Sequence, residues 1–174
     1  MIKHVLSTAI MFSLSVASMS SHAAQINFTG SVTSQSCELS AGDLDFTLST
    51  VGESDVLEAG KQAGMITLST AVTCEGASSG TVNMSLMPKA GSFEGKVLKN
   101  TADNNAAKGV GFVVMNDKME ILDFSNGNAE ISAPIDGKGV ANILISANYA
   151  KDGSGEDVEA GMVKAVLPFV LTYE

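Results

Sequence analysis

The sequence predicts an all-β sandwich, and three observations carry that prediction. Short apolar-rich segments recur along the chain, several of them alternating apolar and polar residues as half-buried strands do. Gly, Asn, Asp and Ser separate them, within a composition of 17 Gly and only 3 Pro. No segment holds a helical period of useful length, although Ser54–Gln62 has room for a turn or two. Strands this short and frequent in about 150 residues mark a sandwich. With 45% hydrophobic and 17% charged residues, the chain has enough apolar material to build a core, which excludes a disordered class.

The first residues are set apart from the fold. Lys3 supplies a positive start, Val5 to Ala17 form an apolar stretch, and Ser21-His22-Ala23 places small residues before a cleavage site between Ala23 and Ala24. A membrane span needs about 20 apolar residues, more than this stretch offers. The reading is a secretory signal over residues 1–23 and an exported mature chain from Ala24, 151 of the 174 residues.

Cleavage also changes the chemical inventory. Both histidines, His4 and His22, leave with the signal, and loss of Lys3 takes the net charge from -9 to about −10. Without imidazole there is no Ser-His-Asp triad, no Cys-His pair and no His-based zinc site, so no catalytic or metal-binding residue and no cofactor is assigned. All 10 basic residues are Lys, and the acidic excess argues against nucleic acid as a partner. Cys37 and Cys74, the 2 cysteines of an exported chain, read as one disulfide joining two strands. A redox pair would want C-x-x-C spacing instead.

In chain order the expected strands are Ile26–Val32, Leu44–Thr50, Met65–Cys74, Thr81–Met87, Val110–Met115, Ala129–Ile131, Val140–Tyr149 and Val163–Tyr173. Val82, Met84 and Leu86 fall on one face, as nearly do Val140, Ile143 and Ile145. Turns are expected at Asn126-Gly127, Asp136-Gly137 and Asp152-Gly153. Met84, Met87, Met115 and Met119 are read as core fillers.

The two ends carry most of the information. From Gly161 onward the period is two: Gly161, Val163, Ala165, Leu167, Phe169, Leu171 and Tyr173 share a face. Pro168 cannot donate to a ladder, so this strand is an edge or carries a bulge. A long apolar edge left open invites aggregation, so something should cover it. The mature N-terminus offers a cover, because Ile26, Phe28, Gly30 and Val32 alternate with polar residues. Residues 24–36 extended would reach about 43 Å. Two readings stand: the segment folds back into its own domain, or it completes the sheet of another molecule by strand addition.

These residues bring a family into view. The pattern Ile26-x-Phe28-x-Gly30-x-Val32-x-x-x-x-Cys37 resembles the N-terminal extension of chaperone–usher fimbrial subunits of the type 1 kind. The penultimate Tyr173, the Gly161 fourteen residues from the end, the early Cys37–Cys74 pair and Leu98-x-Asn100-Thr101 before a strand near Val110 are similar as well. The resemblance covers essentially the whole mature chain; Pro168 departs from it. It implies an incomplete immunoglobulin-like sandwich lacking its last strand, with a donor extension at 24–36 and a pilin domain at 37–174. The groove beside the last strand, lined from Gly161 to Tyr173, would be filled first by a periplasmic chaperone. At an outer-membrane usher, the extension of the next subunit would then replace it. Burying Ile26, Phe28 and Val32 would contribute about 5–9 kcal/mol before main-chain hydrogen bonds. A head-to-tail contact of this kind generates a filament of copies of the chain or of related pilins.

Other motifs are weaker. Asp152–Glu159 loosely resembles a calcium loop, but Asp157 stands where an EF-hand requires Gly. Gly109-x-Gly111 lacks the third Gly of a nucleotide site. The function expected is a non-catalytic structural subunit of a cell-surface fimbria, exported through the periplasm, with the major shaft favoured. A minor adaptor or tip-associated subunit is the alternative, as is a stand-alone secreted immunoglobulin-like binding module.

Overall fold

Strand pairing, not helix, organises the chain. The computed structural model describes residues 36–40, 44–59 and 65–174, all within one compact unit, Thr33–Glu174. The expected signal, the Ala23–Ala24 cleavage point and the donor positions Ile26, Phe28, Gly30 and Val32 lie outside the described residues. Nine strands are described: β1 (Ser36–Leu39), β2 (Ile66–Glu75), β3 (Thr81–Leu86), β4 (Phe93–Glu94), β5 (Val97–Lys99), β6 (Val110–Met115), β7 (Ala129–Pro134), β8 (Val140–Lys151) and β9 (Phe169–Tyr173). The helical structure described is a single 3-10 turn at Glu53–Asp55, overlapping the start of the Ser54–Gln62 stretch with room for one.

The strands form two antiparallel sheets. One has the order β1-β2-β8-β6-β5-β4 and the other β7-β3-β9. Their inner faces meet in one core. Val72 and Cys74 of β2, Ile143 and Ile145 of β8 and Val114 of β6 pack there with Val82, Met84 and Leu86 of β3 and Ile131 and Ala133 of β7. Phe124, fully buried, fills the interior from the loop before β7. The period-two pattern on β3 falls as expected, with Val82 and Met84 at 0% exposure. On β8 the buried face is Ala141, Ile143, Ile145 and Ala147, so Val140 belongs to the opposite side.

Several sequence expectations are corrected. Leu44–Thr50 is not a strand: it has no ladder, although Leu44 and Phe46 pack on the core and alternate with exposed Asp45 and Thr47. Only Phe169–Tyr173 of the expected Val163–Tyr173 strand pairs regularly. β4 and β5 were not expected, and β1 only as an unbounded strand at Cys37, all three being too short to show a period. Met84 and Met115 fill core space, whereas Met87 and Met119 are exposed, because they sit beyond the end of β3 and in the loop after β6.

The cysteines are joined as expected. Cys37 of β1 and Cys74 of β2 are register partners with Cα atoms 3.9 Å apart, and a disulfide links them. Ser36, assigned from sequence to the extension, is paired with Glu75, so among the described residues the ladder already includes the last residue of that assignment. Asp136 closes the β7–β8 hairpin, its carboxylate accepting from the amides of Lys138 and Val140 at 2.8 and 2.9 Å. Those two donors hold its pKa below the usual carboxylate range. The Gly109-x-Gly111 pair answers to packing: Gly109 has φ +63° and its Cα faces the carbonyls of Glu156 and Asp157, while Gly111 lies against Leu98.

Candidate functional site

The site is the edge of the smaller sheet. β9 pairs with β3 on one side, and among the described residues no strand pairs its other side. The ladder register decides which groups face that open edge. Thr81 and Glu174 exchange both main-chain hydrogen bonds, at 2.9 and 3.0 Å. In an antiparallel pair such doubly bonded positions recur every second residue, so Thr172, Val170 and Pro168 also turn their polar groups toward β3. The bond from the Met87 amide to the Pro168 carbonyl, 2.8 Å, confirms the parity.

Leu167, Phe169 and Leu171 therefore direct their N–H and C=O groups outward. The imino nitrogen of Pro168 faces the carbonyl of Met87 on the β3 side, so the missing donor is lost from the internal ladder, not from the open edge. This resolves the oddity of a proline in the last strand: among the described residues the strand is an edge, and its outward row of donors is intact.

The same parity sorts the side chains. Ala165, Leu167, Phe169, Leu171 and Tyr173 are half-buried against the main core, while Val166, Pro168 and Val170 on the other face are exposed. Val163 packs elsewhere, on a satellite cluster of Val56, Ala107 and Val110 with Tyr149 and Val158. Gly161 is exposed and does not line the core. Its absent side chain lets the backbone lie against residues 105–107, where a Cβ would stand 2.5 Å from the amide of Ala107 and the carbonyl of Asn105. The seven residues assigned to one face from sequence thus divide into a contact glycine, a satellite position and five core-facing residues.

Sequence reasoning missed how the segment before β9 is held. Met162 donates to the Asn105 carbonyl at 2.6 Å, and its own carbonyl accepts from the Ala107 amide at 3.0 Å. The Lys164 carbonyl accepts from both the amide and the hydroxyl of Thr101, at 2.7 and 3.1 Å. Leu98-x-Asn100-Thr101 was legible as a motif, but its bonding to residues more than sixty positions away was not.

The remaining surface offers little chemistry. The acidic loop after β8 is pinned by Asp152 accepting from Ser154 and by the exposed Lys108–Glu159 ion pair at 2.9 Å. That pair raises the Lys108 pKa. A shallow depression lined by Val56, Leu57, Glu58, Lys151 and Val158 lies at the satellite cluster on which Val163 packs.

Comparison with known proteins agrees with this architecture. The family model described as fimbrial protein matches residues 26–174. No curated protein sequence matches the chain. The CupB6 tip adhesin from Pseudomonas aeruginosa is similar in structure, with a TM-score of 0.61 at 18% identity over 78% of this chain. This chain spans only 38% of the adhesin. A chaperone–usher pilus analysed for rod uncoiling gives a TM-score of 0.55 at 20% identity, over 91% of this chain and 100% of that one. The P pilus rod subunit PapA gives 0.51 at 19%, over 86% and 100%. Identities this low speak to the fold, which is the immunoglobulin-like sandwich of these pilus proteins.

Proposed function

Because the chain belongs to the fimbrial protein family, we propose that it is a structural subunit of a surface fimbria, joined to its neighbours by strand donation. The single observation that carries this reading is the open outer edge of β9, backed by half-buried Leu167, Phe169 and Leu171. An edge with intact donors and an apolar inward face needs a strand beside it, and residues 24–36 have the alternation to be one. In this reading residues 1–23 are removed at Ala23–Ala24, and a periplasmic chaperone covers the edge first. At an outer-membrane usher, the extension of the next subunit, bearing Ile26, Phe28, Gly30 and Val32, then replaces it. The contact joins two different surfaces and propagates as a filament. The subunit has no catalytic role. The shaft is the favoured assignment and a minor adaptor or tip-associated subunit the alternative, since rod proteins and a tip adhesin share this fold.

The test is deletion of residues 24–33 from the mature chain. The deleted protein should still form its disulfide but fail to cap another subunit, and a synthetic peptide of residues 24–34 should restore a cooperative fold in trans. A full-length protein that is monomeric, cooperatively folded and indifferent to the peptide would overturn the proposal.

A further inference from the structure

The C-terminal segment is held by two different devices. From Pro168 to Glu174 the even-numbered residues are bonded to β3. At Met162 and Lys164, where no regular strand lies alongside, the same even-numbered side is bonded to the 100–107 segment: to main-chain groups of Thr101, Asn105 and Ala107, and at both residues to the Asn100 side chain. The Asn100 carboxamide donates from Nδ2 to the Met162 carbonyl at 2.8 Å and to the Ala107 carbonyl at 2.9 Å. Its Oδ1 accepts from the Lys164 amide at 2.9 Å and from the Ala102 amide at 3.0 Å.

A carboxamide has two donor hydrogens and two acceptor lone pairs, so Asn100 is bonded to its full capacity. No other residue type reproduces this set: Asp lacks the donors, Ser and Thr are too short, and Gln places the amide about one methylene too far. Two of the four bonds go to Met162 and Lys164, a carbonyl and an amide two residues apart. Those are the groups that a neighbouring strand would engage.

We infer that Asn100 is a positioning residue for strand acceptance, a side-chain substitute for the strand that β3 no longer supplies beyond Pro168. Acting with the main-chain bonds from Thr101, Asn105 and Ala107, it keeps the even-numbered groups turned inward and so fixes the rotation of the chain about its own axis. The N–H and C=O groups of Val163, Ala165 and Leu167 then continue the outward row of Phe169 and Leu171. One incoming strand can pair along the whole of it. The inference rests on the strand-donation reading and adds to it a residue that the incoming strand never touches.

The experiment is hydrogen exchange of the mature chain with and without a peptide of residues 24–34, read at single amides. In the unsubstituted protein the peptide should protect Ala165 and Leu167 together with Phe169 and Leu171. In Asn100→Ala the peptide should lose about tenfold or more of its protection at Ala165 and Leu167 while keeping it at Phe169 and Leu171. Asn100→Asp retains the acceptor side and loses both donations. It should show the same split more weakly, and it serves if the alanine variant does not fold. Met84→Ala, a core change on β3, should lower stability without splitting the two halves. A uniform loss along the edge in the Asn100 variants, or no loss, overturns the role of Asn100 alone. Absence of peptide protection at all four amides in the unsubstituted protein overturns the strand-donation reading and this inference with it.

Discussion

Replacing both cysteines, Cys37→Ala with Cys74→Ala, is the perturbation whose size follows most directly from the structure. The bond closes a loop of sequence separation 37, and in the chain-entropy model a loop of that length restrains the unfolded chain by about 4 kcal/mol. Tertiary structure adds where the loss is felt. β1 has 4 residues and pairs only with β2, so among the described ladders one side of β2 and the disulfide are what hold it. Cys74 is 2% exposed, so alanine is the proper replacement: serine would bury a hydroxyl and add a separate penalty. Against a net stability on the order of 5–15 kcal/mol, a loss of about 3–4 kcal/mol is severe. Urea denaturation of oxidised protein and of the double variant should show a lower midpoint, and amide exchange should accelerate first in β1. A double variant within about 1 kcal/mol of the parent, with β1 amides still protected, would refute the reasoning.

Two further outcomes are expected. Gly161→Ala should destabilise by about 1–3 kcal/mol, since its Cβ would meet main-chain atoms that cannot yield, whereas Gly137→Ala, in open space, should be neutral or slightly stabilising; parallel urea titrations compare them. Asp136, whose folded-state pKa is depressed by two amide donors, contributes stability that is present above its unfolded pKa and lost as pH falls through the folded value. Thermal melts below about pH 4 should therefore fall less steeply for Asp136→Asn than for the parent, and equal slopes would remove Asp136 from the acid response.

Much of this protein was determined by its sequence alone. Alternation made β3 visible, because a strand with one face in the core must repeat every second residue, and a short apolar run marked β6. Two cysteines in a chain read as exported implied their own pairing, and the penultimate Tyr173 with Gly161 pointed to the family. The same rule failed for Leu44–Thr50, where alternation reports a half-buried extended segment and says nothing of whether a ladder partner lies beside it. It also failed for β1, β4 and β5, too short for a period to register. Only tertiary structure decided that Pro168 spends its missing hydrogen bond on β3 and leaves the open edge whole. Which side of a strand a residue faces depends on register against a partner some eighty positions away. Asn100 is the sharpest case. Its type and its neighbours were legible, but its four bonds converge from Ala102, Ala107, Met162 and Lys164, and convergence of that kind is a property of the folded backbone, written in no local pattern.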